Sequence, residues 1–245
     1  LGLVVIDEQH RFGVLERATL RDKGRRPDVL VMTATPIPRT LALTSYGDLD
    51  VSVIRGLPPQ RRPIKTTVLS ESRRNSAYRC VERCLSEGQQ AYVVYPLVTE
   101  SEKSDLRAAT VMFESLTALF PDYSVGLLHG RMKSDLRDDV MNQFIVGDIQ
   151  LLVATTVVEV GVDVSNATVM VVEHAERFGL AQLHQLRGRV GRGPNQSHCC
   201  LLHSDELTET ARARLDALAQ STDGFKIAEQ DLLLRAVSYT HLRAH

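Results

Sequence analysis

The sequence contains no tryptophan, few aromatic residues (5%) and only four cysteines. None of the cysteines has the C-x-x-C spacing that is typical of zinc sites. No uninterrupted apolar run approaches the roughly 18 residues of a membrane-spanning helix, and no secretory leader is recognisable. These absences exclude a membrane span and predict a soluble protein of the cytoplasm whose thiols are reduced.

The chain also lacks an excess of charge of either sign and any low-complexity or heptad pattern. Its 29 basic and 30 acidic residues give a net charge of -1 over 245 residues. Collagen-like, coiled-coil and largely disordered classes are therefore excluded, and 43% hydrophobic residues suffice for a core. If the protein binds nucleic acid, its basic residues must be concentrated on one face, because phosphate neutralisation depends on local charge.

The segment His198–His203 places two histidines around Cys199 and Cys200 and could be taken for a metal site. Adjacent residues of a strand point to opposite faces, so these side chains would not converge on one ion. We therefore favour buried thiols over metal ligands here.

Short apolar runs alternate with amphipathic stretches along most of the chain. The predicted strands are Leu3–Ile6, Val29–Met32, Val51–Ile54, Lys65–Leu69, Ala91–Tyr95, Ser124–Leu128, Gln150–Ala154, Val169–Val172 and Cys199–Leu202. The predicted helices are Ser76–Ser86, Ala108–Phe120, Ser134–Phe144, Leu180–Arg189 and Thr208–Ala219. Repeated strand, helix, strand order indicates crossover units on parallel sheets, and hence an α/β architecture.

Three prolines within Leu57–Pro63 break this pattern and predict a linker, residues 57–64, between two α/β units. Residues 1–56 are too few for a complete domain and are expected to be the end of a larger one. Residues 65–205 form the second unit, and residues 206–235 begin a further helical region. Residues 236–245 show neither helical nor strand periodicity and are set apart as a tail. Both ends of the chain are expected to be truncated.

The first candidate functional residues, Asp7, Glu8, Gln9 and His10, directly follow the first predicted strand. Parallel sheets bind ligands at the carboxyl ends of their strands. There Asp7 can hold Mg²⁺ while Glu8 polarises a water for phosphoryl transfer. Taken alone, an Asp-Glu pair at a strand end is more often a solvated surface feature, so its context decides.

The segment Thr33–Thr40 follows the second predicted strand. The hydroxyls of Thr33 and Thr35 bracket a proline-stiffened turn and can bond both a neighbouring strand end and a phosphate. The alternative is a helix start with Thr35 as N-cap and Pro36 at the first helical position, and both interpretations can hold together.

A third segment, Ala154–Val164, begins at the end of a predicted buried strand. It carries the polar residues Thr155, Glu159 and Asp163, and Gly161 allows the backbone to approach a ligand closely. By itself this signal is weak.

The fourth segment, Gln182–Gly193, is the most specific. Gly188, Gly191 and Gly193 alternate with Arg189 and Arg192, which lets backbone and guanidinium approach a polyanion. Guanidinium suits the charge of a transferring phosphoryl group. A patch for a nucleic-acid backbone is the alternative.

Together and in this order, the four segments resemble the motifs of superfamily 2 helicases and translocases. DEQH resembles motif II, TATPIPRT motif III, ATTVVEVGVDV motif V and QLRGRVGR motif VI. The resemblance covers residues 1 to about 235 and implies RecA-like parallel sheets with flanking helices. It implies the end of a first, ATP-binding domain followed by one complete helicase carboxy-terminal domain, with ATP between the two.

Longer segments narrow this resemblance to the branch that remodels stalled replication forks and Holliday junctions in DNA repair and recombination. These segments are DEQHRFGV, LPPQRRPIKT, YVVYPLVTESE, LLHGRM and AERFGLAQLHQLRGRVGRG. The transcription-repair coupling translocases, which share TATPIPRT and GLAQLHQLRGRVGR, are the alternative.

The resemblance also implies roles for the candidate residues. Asp7 would coordinate Mg²⁺, Glu8 would activate water, and Gln9 and His10 would couple hydrolysis to DNA through Thr33 and Thr35. Residues near the γ-phosphate and ribose of ATP would be Gln185, Arg189, Arg192, Glu159, Gly161 and Asp163. Residues on the backbone of branched DNA would be His129, Gly130, Arg131 and Thr155. The enzyme is expected to be a monomer.

No G-x-x-x-x-G-K-[ST] pattern occurs in these 245 residues, so they lack the loop that cradles ATP phosphates. We therefore expect the parent protein to be an ATP-dependent DNA helicase and the isolated chain to show little or no ATPase activity. A non-catalytic DNA-binding remnant is the alternative from another class. The retained Asp7, Glu8, Arg189 and Arg192 weigh against it, because nothing structural requires those side chains.

Overall fold

The computed structural model describes residues 2–6, 27–33, 50, 52–54, 61–96, 102–155 and 163–242. The chain divides into two compact units, Leu1–Asp48 and Leu49–His245. In the first unit, strand β1 (Leu3–Ile6) pairs in parallel with strand β2 (Asp28–Val31). The first predicted strand is thus confirmed, and the second begins one residue earlier than predicted.

Six parallel strands form the sheet of the second unit, in the order β3-β8-β7-β4-β6-β5. The strands are β3 Lys65–Ser70, β4 Gln90–Val94, β5 Val125–Leu128, β6 Leu151–Ala154, β7 Ala167–Val172 and β8 His198–His203. The helices are α1 Arg74–Ser86, α2 Glu102–Leu119, α3 Ser134–Val146, α4 Leu180–Arg187, α5 Glu209–Gln220 and α6 Gly224–Leu242. The α/β class with parallel strands, expected from the order of elements, is confirmed.

Helices cover this sheet on both faces, so its central strands are buried throughout. The core on one face includes Tyr92, Met170 and Leu201 of the sheet with Phe144, Leu183, Leu215 and Ile227 of α3 to α6. The core on the other face includes Val93, Val171 and Leu202 with Val81 and Leu85 of α1 and Leu116 of α2. Two separate apolar layers therefore hold the sheet in place.

Helix α1 shows how the sequence pattern produces this packing. Its buried residues, Ala77, Val81, Cys84 and Leu85, recur at intervals of three and four and form one stripe facing the sheet. The helix is followed by Gly88, whose φ of +73° is the left-handed conformation that glycine adopts most readily, and its N–H donates to the Leu85 carbonyl (3.0 Å).

Strand β8 confirms the alternation expected for the cysteines. Cys199 belongs to the core on one face of the sheet and Cys200 to the core on the other. Both are buried free thiols, so the residues act as small apolar side chains of the strand.

Two expectations for secondary structure are wrong. Residues 52–54 of the predicted strand Val51–Ile54 are not in a strand, and Ile54 is 96% exposed, because a short apolar run does not by itself supply a pairing partner. The tail set apart from residue 236 continues α6 as far as Leu242. Extending an existing helix needs no amphipathic pattern, since the costly step is nucleation. Among the helices that the structure describes, none is long and apolar enough to cross a membrane.

Candidate functional site

The structure sorts the predicted site residues that it describes into two groups of the second unit. Asp163 precedes β7, and Arg189 and Arg192 precede β8, so these three lie toward the amino ends of the strands. The second group follows the carboxyl ends of β5 and β6 and consists of His129, Gly130, Arg131 and Thr155. Thr33 is exposed in the first unit, just after β2. The other predicted residues lie outside the described part of the chain: Asp7, Glu8, Gln9, His10, Thr35, Glu159 and Gly161.

The segment Gly188–Gly193, here called the arginine loop, directly follows α4. Arg192 is held at two points in this loop: Nε donates to the carbonyl of Gly188 (3.1 Å), and Nη1 lies 3.4 Å from Oδ2 of Asp163. The Arg192 side chain keeps 26% of its surface exposed. The guanidinium is therefore oriented and still accessible to an anionic ligand.

The hydroxyl of Tyr92, in the middle of β4, lies within the electrostatic influence of Arg189, Arg192 and Asp163. Burial raises the pKa of the Tyr92 hydroxyl, Arg189 and Arg192 lower it and Asp163 raises it, and the resulting pKa is about 12. All three charges thus act on the same hydroxyl. Gln185 is partly buried on α4, one helical turn before Arg189.

Two glycines allow the arginine loop to pack tightly against the protein. Gly191 has a φ of +77°, and a Cβ on it would lie 2.8 Å from Cγ1 of Ile64. A Cβ on Gly193 would clash with the carbonyl oxygen of Ser165. Sequence reasoning assigned these glycines to the approach of a polyanion. In the structure both residues also fit where a larger side chain would not.

A third arginine, Arg187, anchors the carboxyl end of α4. It is buried, and its Nη1 donates to the carbonyls of Leu218 (2.7 Å) and Ser221 (2.8 Å). Its Nη2 contacts Nδ1 of His184 (3.1 Å). Burial and the positive Arg187 lower the pKa of His184, Asp223 opposes the shift, and the resulting pKa is about 4. A neutral His184 can accept the hydrogen bond from Arg187.

Arg187 is a site residue that the sequence motif did not single out. The signal was present, because Arg187 lies four residues after Leu183 and seven after Leu180, on the buried stripe of the helix. A charged residue on such a stripe needs buried partners, and the carbonyls of α5 provide them.

At the carboxyl ends of β5 and β6, a hydroxyl and cationic groups form the second group. The Thr155 N–H donates to the Leu128 carbonyl (3.1 Å), which joins the two strand ends. The Thr155 Oγ1 atom is buried and has no hydrogen-bond partner among the described residues. Burial and the nearby Arg131 lower the pKa of His129, and the N–H of Arg131 donates to His129 Nδ1 (3.3 Å). The buried hydroxyl without a partner marks Thr155 as a candidate functional residue, and the exposed Arg131 can reach a phosphate.

A buried carboxylate that sequence reasoning missed lies at the carboxyl end of β7. Glu173 is 1% exposed; it accepts from Arg74 Nη2 (2.9 Å) and from the hydroxyl of Tyr78 (2.7 Å). Burial opposes the charge of Arg74, but the hydrogen bond and the charge of Glu173 outweigh it and raise the pKa of Arg74. Glu173 directly follows a buried strand, the same signal that singled out Asp7 and Glu8. The contacts of Glu173 with Arg74 and Tyr78 hold α1 against the sheet.

Comparison with known proteins agrees with this geometry. Residues 76–194 match the helicase conserved C-terminal domain. The chain is 56% identical over 236 residues to the ATP-dependent DNA helicase RecG of Synechocystis sp. and 53% identical over 240 residues to that of Escherichia coli K12. Each match covers 96% of this chain, and the chain spans 28% and 35%, about a third, of those two curated relatives.

Solved structures give the same result at the level of the fold. A structure of RecG bound to a three-way DNA junction matches 95% of this chain with a TM-score of 0.78 and 48% identity, over 30% of its own length. The Saccharomyces cerevisiae protein Dbp5 bound to RNA and ADP BeF3 matches with a TM-score of 0.61 and 14% identity, over 97% of this chain and 63% of its own, which shows a shared fold alone. The fold and its matches define the class as helicases with RecA-like domains. Within that class, the chain is similar over 96% of its length to about a third of the RecG helicases.

Proposed function

We propose that these 245 residues are the motor part of a longer ATP-dependent helicase that moves on double-stranded DNA and remodels stalled replication forks and Holliday junctions. The observation that carries the proposal is the accessible Arg192, oriented by Asp163 and Gly188 beside Arg189. Relatives named as RecG helicases match nearly the whole chain and favour this assignment over a transcription-repair coupling translocase.

In the proposed mechanism, the arginine loop stabilises the negative charge that spreads over the γ-phosphoryl group during ATP hydrolysis. Planar, permanently charged guanidinium groups suit this task, and a partly buried position strengthens their effect. Asp163 keeps Arg192 oriented, and Gln185 contributes a polar side chain to the same group. Asp7 would hold Mg²⁺ and Glu8 would activate the attacking water.

DNA contacts in this proposal come from the carboxyl ends of β5 and β6. Thr155 and the turn His129–Arg131 would bind backbone phosphates, and Gln9, His10, Thr33 and Thr35 would couple hydrolysis to them. Phosphate contacts carry no sequence information, which suits recognition of branched DNA by its shape. We further propose that residues 1–56 belong to the ATP-binding domain and 65–205 to the helicase carboxy-terminal domain, in a monomeric protein of the cytoplasm.

The test is ATP-dependent unwinding of a synthetic fork by the full-length protein that carries this sequence. We expect fork-stimulated phosphate release and strand separation by the wild type, and neither by Glu8→Gln. The isolated 245-residue chain is expected to release no phosphate, because it lacks the phosphate-binding loop. Fork binding with strong salt dependence but without any effect of nucleotide would favour a non-catalytic DNA-binding protein instead.

A further inference from the structure

The segment Arg61–Lys65, at the end of the predicted linker, is bound along its length to the arginine loop and the residues after it. Arg61 Nε donates to the carbonyl of Gly191 (2.8 Å), although 130 residues separate the two. Gln196 Nε2 donates to the Pro63 carbonyl (2.8 Å), and the Lys65 N–H donates to the Ser197 carbonyl (2.9 Å). Three hydrogen bonds thus join the two segments.

The hydrogen bond from Arg61 is made to the peptide unit that leads directly into Arg192. The Gly191 carbonyl belongs to the peptide bond that joins Gly191 to Arg192, so its orientation decides where the Arg192 side chain begins. Gly191 has a φ of +77°, and Ile64 packs against its Cα so closely that a Cβ would lie 2.8 Å from Cγ1. A glycine in this position is conformationally permissive, and an external hydrogen bond is therefore needed to fix it.

We infer that Arg61 is a positioning residue for Arg192: it holds the Gly191–Arg192 peptide so that the arginine loop keeps its catalytic orientation. The inference rests on the proposed function, because it assumes that Arg192 acts on ATP. Arg61 itself touches the loop backbone and acts on the reaction through Arg192. The carbonyl and guanidinium form a charge-assisted hydrogen bond, which is stronger than a neutral one.

The geometry predicts which substitutions preserve this function. In Arg61→Lys the positive charge remains, but a methylene group stands where Nε donates its proton. Arg61→Lys and Arg61→Ala should therefore behave alike. Arg62 is the matched control, since it is an exposed neighbour with the same charge.

The test is the steady-state ATPase activity of the full-length protein on forked DNA. We expect Arg61→Ala and Arg61→Lys to lower kcat roughly 3- to 10-fold, the effect of one lost hydrogen bond in the transition state, with KM for ATP unchanged. In an Arg192→Ala background, Arg61→Ala should have no further effect, because both changes act through the same guanidinium. Arg62→Ala should retain wild-type kcat.

The inference is overturned if Arg61→Ala equals Arg62→Ala, if Arg61→Lys restores kcat, or if the effects of Arg61→Ala and Arg192→Ala multiply. Hydrogen exchange of residues 189–193 in the same full-length variants gives a readout that does not depend on activity. It should be faster in Arg61→Ala than in Arg62→Ala. If Arg192→Ala retains wild-type turnover, the proposed function fails, while the exchange result still decides whether Arg61 holds the loop.

Discussion

Arg192 Nη1 lies 3.4 Å from Asp163 Oδ2, and the two side chains are 26% and 58% exposed. An ion pair this accessible to water contributes little to folding stability, typically about 0 to 1 kcal/mol. Its value must therefore lie in orientation, because the pair fixes a guanidinium that a phosphate can still reach. Arg192 and Asp163 are therefore assigned to ligand binding and not to the stability of the fold.

Asp163→Asn should impair catalysis and leave the fold intact. We expect kcat/KM of the full-length ATPase to fall roughly 10- to 100-fold, because a misplaced catalytic group loses much of its effect. The Tm should stay within a few degrees of the wild type, since a partly exposed ion pair of this kind contributes little to stability. Asp122→Asn, an exposed carboxylate in the turn before β5, is the control and should change neither quantity. Equal losses in both variants would contradict the assigned role.

Gly193→Ala should destabilise the second unit. Its Cβ would clash with the backbone carbonyl of Ser165, which cannot move as a flexible side chain does. We expect the free energy of unfolding in urea to fall by about 1–3 kcal/mol. In the control Gly179→Ala, the nearest atom to the new Cβ is Gln182 Oε1 at 3.6 Å, an ordinary contact. A smaller loss for Gly193→Ala than for Gly179→Ala would show that the loop packs differently.

His184 should make stability depend on pH. Its pKa is lowered to about 4 by burial and by Arg187, whereas an unfolded histidine titrates near about 6.5. Below about pH 6.5, His184 is protonated in the unfolded chain but stays neutral in the folded protein. Stability is therefore fully present above that pH and is lost as the pH falls toward 4, by up to about 3 kcal/mol.

Urea unfolding between pH 4 and 7 measures this contribution as the difference between wild type and His184→Gln. The glutamine amide can still accept from Arg187, so the variant should fold while this part of the slope disappears. Identical pH profiles for the two proteins would contradict a partly buried histidine that is neutral in the folded state.

Arg131→Ala should weaken DNA binding regardless of sequence. Loss of one phosphate contact should reduce the slope of log K against log salt concentration by about 0.9 on duplex DNA. Fluorescence anisotropy of the full-length protein on a labelled fork at several salt concentrations measures this. Arg212→Ala, an exposed arginine of α5, should leave the slope unchanged. A sequence-dependent loss for Arg131→Ala would indicate base contacts instead.

The sequence predicts the sheet well because the central strands of the second unit, β4, β6 and β7, are short, largely apolar runs whose signal is local. The cores on both faces follow from the same runs. The strand predicted at residues 52–54 is wrong, because an apolar run alone does not reveal whether another strand lies beside it. The prediction for residues after 236 is wrong for a related reason. An existing helix, α6, can be extended without a periodic pattern in the added residues, so the sequence gives no signal there.

The candidate site divides in the same way. The glycines and arginines of the arginine loop are adjacent in the sequence. Their pattern alone therefore predicts that Arg189 and Arg192 lie in one site. The partner that holds the loop is not local, because Arg61 bonds Gly191 across 130 residues. The pair of Arg74 and Glu173, which joins α1 to the end of β7, likewise spans 99 residues. Such pairings depend on the crossover order of the strands, which places β3 beside β8. Only a three-dimensional structure brings them together.

The proposed function depends most on the action of Arg192 on the phosphate of ATP. The most direct measurement is single-turnover ATP hydrolysis by the full-length protein on saturating forked DNA, comparing wild type, Arg192→Ala and the control Arg212→Ala. We expect a fall of roughly 1,000-fold or more in the hydrolysis rate for Arg192→Ala, as for other arginines that stabilise phosphoryl transfer, and none for the control. A rate for Arg192→Ala within about twofold of wild type, a range that corresponds to well under 1 kcal/mol of transition-state stabilisation, would contradict it.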